Sequence, residues 1–310
     1  MAKFYPIQTV LLFFLVMGLH AQEIQLLTLE DFDLKGRVKS CLVITPYGRE
    51  TFEFNPQGLL TKAITRYNEL DQDITDYKFV DGELVERRTE SYKNDLLDES
   101  TSMANFYTID TLGQRVVVEK IISYDKQFIE KQEYQYDAQD RLTRIMTSNV
   151  DGVDETTFEY SSHRDGNTVS TFVNGVLEKS VRTTGKKGEG EGQSSVLTKE
   201  YLDGQPNRAH EEVFNEKGRT ISSEDFLYDV EAKEFVSRLK KYYHYREGIL
   251  DRVVTKTLTT ESVENYIFQF DAHNPSNWVK QIVAPHNTYT TRVITYYPEA
   301  EEGKEGGGGN

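Results

Sequence analysis

The 310 residues contain one cysteine, Cys41, so no disulfide forms within the chain and the fold rests on its core and its sheet. Apolar residues are scarce, at 37%, and the mean hydropathy is −0.61. After the first residues no segment is long and apolar enough for a transmembrane helix. Basic residues are outnumbered, 36 Lys and Arg against 51 Asp and Glu, for a formal charge of −15. That balance argues against nucleic acid and against anionic membrane surfaces as partners. No long stretch keeps a helical period free of turn signals, so little helix is expected.

Catalytic signatures are missing too. There is no Gly-x-Ser-x-Gly elbow, and the glycines at 185–192 lack the Gly-Lys-Ser/Thr ending of a phosphate loop. The histidines have no short metal-ligand spacing and no second cysteine beside them. His210-Glu211-Glu212 is the one ligand-like spot, and it also reads as a charged strand. Asp71–Asp76 begins like a calcium loop but lacks the third alternate acid and the glycine at position six. No metal and no cofactor are expected. Carboxylates are so numerous that a glycosidase-like pair is conceivable, and sequence nominates none.

What is present starts with an export signal. Lys3 precedes the apolar run Val10–Met17, and Ala21 offers the cleavage point, giving a signal peptide at 1–21. Residues 22–298 read as a continuous β-hairpin repeat domain with a flexible Gly/Glu/Lys loop at 184–195. A split into two domains at that loop is the alternative. Residues 299–310 read as a Gly/Glu tail.

The body is rich in aromatics, 19 Tyr and 16 Phe, and they recur as aromatic–x–aromatic triplets before turns. Examples are Phe52-Glu53-Phe54, Tyr134-Gln135-Tyr136, Tyr243-His244-Tyr245 and Phe268-Gln269-Phe270. Residues two apart on a strand share a face, so each triplet puts two rings on one side. Two kinds of turn follow. Asn55-Pro56-Gln57-Gly58, Asp110-Thr111-Leu112-Gly113, Asp137-Ala138-Gln139-Asp140 and Asn215-Glu216-Lys217-Gly218 have the type I pattern with a bulge residue. Asp81-Gly82, Asn174-Gly175, Asp203-Gly204 and, less well, Glu247-Gly248 fit two-residue type I′ turns. Both kinds set an aromatic opposite a leucine: Phe54/Leu60, Phe79/Leu84, Tyr136/Leu142, Phe172/Leu177 and Tyr245/Leu250. The turns at 55, 81, 110, 137 and 165 recur at a nearly fixed period, as in repeat architectures.

Regular alternation beyond each leucine brings a charge onto the leucine's face: Lys62, Glu86, Arg144, Lys179 and Arg252, with Lys280 after Trp278. This predicts Lys62 opposite Phe52, Arg144 opposite Tyr134 and Arg252 opposite Tyr243. Charges so placed interrupt a lipid band, so no integral membrane insertion is expected. They also suggest a ladder of rings and cations that holds glycans or acidic ligands, with Tyr134, Arg144, Tyr243, Arg252, Trp278 and Lys280 as the candidate ligand surface. The bland alternative is lysine and arginine stems covering aromatic surface.

The pattern resembles the YD-repeat (RHS-like) family through Tyr136-Asp137 with Arg141-Leu142 and through Phe54-Asn55 with Gly58-Leu59-Leu60. It is also similar, more weakly, to secreted domains of unknown function with a porin-like fold, soluble rather than membrane-embedded. The resemblance implies hairpins winding into one long curved or closed sheet, and no single activity. The sequence therefore reads as an all-β protein of repeated antiparallel β-hairpins, a soluble barrel or a wrapped sheet. The expected function is an exported, non-enzymatic binding or scaffold protein of a Gram-negative envelope, periplasmic, outer-surface or secreted, with a glycan or surface protein as partner. The alternative is a polysaccharide-acting hydrolase with a carboxylate pair in a cleft.

Overall fold

Turn chemistry sets the hairpins. In the turns beginning at Asn55, Asp137 and Asn215, the first side chain accepts backbone N–H groups two and four residues on. Asn55 Oδ1 takes Gln57 and Leu59 at 3.1 and 2.9 Å, and Asp137 Oδ1 takes Gln139 and Arg141 at 2.9 and 3.0 Å. Gly58, Asp140 and Gly218 then adopt left-handed backbone, with φ of 84°, 58° and 72°. Asp81-Gly82, Asn174-Gly175, Asp203-Gly204 and Glu247-Gly248 have positive φ at both residues, the type I′ form. The turn at Asp110 departs from its expected form, because Asp110 pairs with Val116 and the loop runs from 111 to 115.

The structure, a computed structural model, describes residues 26–185 and 192–298. The expected signal peptide, the expected tail and the centre of the 184–195 loop lie outside the described residues. A 3-10 turn at Leu29–Phe32 precedes the strands β1 (Val38–Thr45), β2 (Gly48–Phe54), β3 (Leu60–Arg66), β4 (Gln72–Val80), β5 (Glu83–Lys93), β6 (Leu96–Leu97) and β7 (Met103–Asp110). Then come β8 (Val116–Ser123), β9 (Phe128–Tyr136), β10 (Leu142–Asn149), β11 (Val153–His163), β12 (Gly166–Val173), β13 (Val176–Gly185) and β14 (Ser194–Leu202). The last are β15 (Gln205–Phe214), β16 (Thr220–Asp229), β17 (Glu234–Arg246), β18 (Ile249–Thr257), β19 (Glu261–Phe270), β20 (Trp278–Ala284) and β21 (Thr288–Tyr296).

Each long strand pairs antiparallel with the next, and β1 pairs with both β2 and β21. The short β6 pairs only with the end of β5, which pairs onward with β7. The remaining 20 strands close into a barrel. An even count lets an antiparallel meander close, and closure leaves no open edge to be covered. The all-β hairpin reading is borne out, in its closed form.

The five aromatic–leucine pairs occur as expected: Phe54↔Leu60, Phe79↔Leu84, Tyr136↔Leu142, Phe172↔Leu177 and Tyr245↔Leu250. Four of them lie at one end of the barrel and on one face. Phe172/Leu177 belongs to a hairpin at the other end, and the register places it on the other face. Nearly all buried strand side chains share the first face, among them Phe54, Leu60, Leu84, Val117, Tyr134, Tyr136, Leu142, Ile145, Phe158 and Trp278. The other face buries only the small Ala104, Ser195 and Ala209 among the described strand residues. Side chains converge on the concave side of a closed sheet and spread on the convex side, so the crowded face is the inner one.

The cation positions correct the sequence reading. Lys62 stands opposite Glu53, Arg144 opposite Gln135, Arg252 opposite His244 and Lys280 opposite Gln269. The rings face apolar partners instead: Phe52 has Ala63, Tyr134 has Ile145 and Tyr243 has Val253. The cause is a β-bulge after each leucine, at Thr61, Thr143 and Asp251, and after Trp278 at Val279. One extra residue reverses the parity of everything beyond it. In two hairpins the bulge threonine bonds across: Thr61 Oγ1 donates to Glu53 O at 3.1 Å and Thr143 Oγ1 to Gln135 O at 3.0 Å.

Candidate functional site

The six residues expected to form a ligand ladder are divided between the two faces. Tyr134, Tyr243 and Trp278 are concave, while Arg144, Arg252 and Lys280 are convex, so no ladder of rings and cations forms from them. Arg144 instead pairs with Glu155 at 2.5 Å, and Lys280 lies over Tyr289, 5.3 Å from the ring centroid. Tyr134 and Trp278 are buried.

The concave wall holds two polar stations that sequence did not indicate. The first centres on Glu119 of β8, only 6% exposed. Its Oε1 accepts Asn105 Nδ2 at 2.6 Å and Tyr107 OH at 2.9 Å, and its Oε2 accepts Tyr134 OH at 2.7 Å. Arg87 adds charge at 3.7 Å. The strand register explains the meeting, since Tyr107 is directly opposite Glu119, and Tyr134 is opposite the neighbouring Val117. Burial first, and the Glu119 charge next, hold both phenols well above the ordinary tyrosine range.

The second station lies on β15–β17. His210 Nδ1 and Asp225 Oδ1 are 2.6 Å apart, and Ser223 Oγ and Tyr243 OH are 3.2 Å apart. Asp225 raises the His210 pKa mainly through this hydrogen bond, and His210 lowers that of Asp225 in return. Arg208 pairs with Glu200 at 2.6 Å on the same wall. Both members of the His210–Asp225 pair reach solvent, so this part of the wall is open to a polar ligand.

At the end that carries the Asn55 and Asp137 turns, the N-terminal segment is clamped onto the concave side. Trp278 Nε1 donates to Asp33 Oδ2 at 3.0 Å, and the Arg292 guanidinium lies 3.5 Å from the Trp278 ring. Arg292 also donates to the carbonyls of Phe32 and Asp33, at 3.0 and 3.4 Å. Asn277 bonds both ways with the Lys35 backbone at 2.8 Å and donates to Tyr296 OH at 2.8 Å. Tyr296 in turn donates to Asp271 and stacks on His273. Leu29, Phe32 and Leu34 complete an apolar cluster with Phe52, Phe54 and Leu60. Cys41 sits in this cluster, and burial pushes its thiol up to about 11, so it behaves as a core residue.

No group of three or more His, Cys, Asp or Glu side chains suited to a metal exists among the described residues. No helix among them is long and apolar enough to cross a membrane.

No family model and no curated protein matches the sequence. Among solved structures it is similar to a porin-like protein from Bacteroides uniformis ATCC 8492, at 8% identity and a TM-score of 0.32. The match covers 83% of this chain and 98% of that one. At that identity and score the likeness says nothing about function. These comparisons lend no support to the YD-repeat resemblance, and the porin-like one goes with the barrel described above.

Proposed function

We propose that the chain is an exported, non-enzymatic binding barrel of the cell envelope, with water on both faces and its concave wall facing a polar ligand such as a glycan or a segment of a surface protein. One observation carries the reading: neither face offers the charge-free band that lipid requires. The convex face is laced with ion pairs, including Lys62–Asp76 at 3.1 Å, Lys131–Glu133 at 3.2 Å, Arg144–Glu155 at 2.5 Å and Lys240–Glu224 at 2.7 Å. The concave face carries Glu119, Glu200, Arg208, His210 and Asp225. The conclusion therefore holds whichever face points outward. The bulges carry Lys62, Arg144, Arg252 and Lys280 off the aromatic face and onto the convex one, which is the face a membrane barrel would turn to lipid.

The hydrolase alternative needs two acids that share a cleft. Glu119, the deeply buried acid of the concave wall, is met by Asn105, Tyr107, Tyr134 and Arg87, all donors. Such a carboxylate serves as a structural acceptor whose oxygens are already taken, and no second acid bonds with it among the described residues.

The test is fractionation of the chain, expressed with its own residues 1–21 in a Gram-negative host. Release with the soluble envelope fraction, folded without detergent, is the expected result. Recovery in membranes that withstand alkaline washing, with folding only in detergent, overturns the reading. Binding of the purified protein to a panel of soluble glycans then tests the concave wall, with His210→Ala and Arg208→Ala as the variants expected to weaken it.

A further inference from the structure

We propose that the convex face of β19, β20, β21 and β1 is a docking surface for an anionic lipid bilayer, against which the barrel lies without entering. This rests on the reading above that the barrel stands in water. The register sets Ile267 beside Ile282 and Ile282 beside Tyr289, and it sets Val293 beside Leu42, with Ile44 two residues on. Ile267, Tyr289 and Val293 are 54%, 54% and 51% exposed. Across β20, β21 and residues 40–44 of β1, the one charged side chain on this face is Lys280, and there is no acid. The convex face of β19 carries one acid, Glu261 at the start of the strand, and it is paired with Lys256 of β18 at 3.0 Å; no ion pair lies on the convex face of β20, β21 or residues 40–44 of β1 among the described residues. A contiguous exposed apolar patch on a soluble protein marks an interaction site.

The margins of the patch identify its partner. Arg252 borders it on the β18 side, directly opposite the exposed His244, and Arg49 and Arg66 border it on the β2–β3 side, where the one acid on the convex face of β2 is Glu53, set between Ser40 and Lys62. Arg49, Arg252 and Lys280 have no carboxylate partner among the described residues. Stacking a second copy face to face by a two-fold axis lays cationic margin over cationic margin, so self-association is disfavoured. An apolar strip rimmed by unpaired cations is complementary to acyl chains beneath anionic headgroups. The net charge of −15 does not forbid this. At physiological ionic strength charges are screened beyond about 8 Å, so the acids of other sectors count less than the local cations.

The test is cosedimentation of the purified chain with vesicles of phosphatidylcholine containing one-third phosphatidylglycerol. Most of the protein is expected to pellet with these vesicles and little with phosphatidylcholine alone. Ile267→Asn with Val293→Asn should reduce the bound fraction several-fold, and so should Arg49→Glu with Arg252→Glu. The latter pair changes only exposed side chains and guards against misfolding of the former. No pelleting on the charged vesicles, or equal pelleting of all variants, overturns the proposal. So does a dimer in light scattering that Ile267→Asn dissociates, since the occupant is then a second copy. Protein that stays on vesicles through alkaline washing refutes the water-on-both-faces reading instead.

Discussion

Ile145 and Arg144 are adjacent in sequence and so lie on opposite faces, and the bulge at Thr143 decides that the isoleucine takes the concave one. Truncating each should give very different costs. Ile145 is 4% exposed in a cluster with Val117, Tyr134, Tyr136, Leu142 and Phe158. Ile145→Ala removes buried methylenes and leaves a cavity, for a loss of about 2–5 kcal/mol. Arg144 is paired with Glu155, and both side chains are 41% exposed. Arg144→Ala should cost no more than about 1 kcal/mol. Without the bulge the faces exchange, with the arginine over the Tyr134 ring and the isoleucine in water, and the order of costs reverses. Deleting Thr143 is the sharper perturbation. It keeps Leu142, Arg144 and Ile145 on their present faces in an unbulged strand, at the loss of the Thr143–Gln135 bond and some twist. The expected cost is about 1–2 kcal/mol. Urea unfolding, fitted for midpoint and slope, measures all three. A deletion that costs more than Ile145→Ala, or an arginine that costs more than the isoleucine, refutes the bulge argument.

Four further outcomes follow from the concave wall. Glu119→Gln replaces an acceptor of three hydrogen bonds with a group that also donates, and should cost about 2 kcal/mol in the same urea assay. The phenols of Tyr107 and Tyr134 have raised values in the folded state. Their contribution to stability is intact below the ordinary tyrosine value of about 10 and is lost as pH rises through the folded values. Tyrosinate absorbance should therefore lag behind that of exposed tyrosines, and Glu119→Gln should shorten the lag; an unchanged titration contradicts the account. His210 is also raised, so its bonus is full below about pH 6.5 and fades as pH rises through its folded value. That of Asp225 is present above about pH 3.9 and lost as pH falls through its lowered one. Asp225→Asn should lower the His210 pKa in an NMR titration, and no change would mean that the pair does not form. Trp278, the one tryptophan, reports on the N-terminal clamp. Asp33→Ala should shift its emission to the red if the Trp278–Asp33 bond holds the segment in place.

The hairpins were legible because their causes are local. An Asn or Asp that accepts its own downstream backbone, and a glycine or aspartate at positive φ, fix where each strand turns. The loop length then fixes which aromatic meets which leucine. What was not legible lies one residue past those leucines. Thr61 and Thr143 look like ordinary strand residues, and only the paired carbonyls of Glu53 and Gln135 show them to be inserted. A side-chain period of two has no memory of an insertion, so every face assigned beyond the leucine was reversed, and the ligand ladder with it. Phe172 meets Leu177 as the loop length requires, though at the other end of the barrel and on the other face. Successive hairpins open toward alternate ends of a meander, and sequence does not mark which end a turn belongs to. The Asn277-Trp278 clamp on Asp33 and Lys35 joins opposite ends of the chain, which requires the closed sheet before the residues meet.

The parity error matters most for the membrane question. A lipid-facing barrel and a water-filled one have the same strands, the same turns and the same aromatic–leucine pairs; they differ only in what the outward side chains carry. Unbroken alternation puts the charges on the aromatic face, which in the barrel is the concave side and not the one that lipid would meet. With the bulges in place, Lys62, Arg144, Arg252 and Lys280 move to the convex face, and two of them find a cross-strand carboxylate there, Lys62 with Asp76 and Arg144 with Glu155. Exposed pairs of this kind add little stability, about 0–1 kcal/mol each. Their cost in lipid is far larger, since each ion would have to leave water. The pairs therefore restrict the location of the barrel more than they stabilise it. The strands β20 and β21 and residues 40–44 of β1, where no such pair lies among the described residues, are free of that restriction.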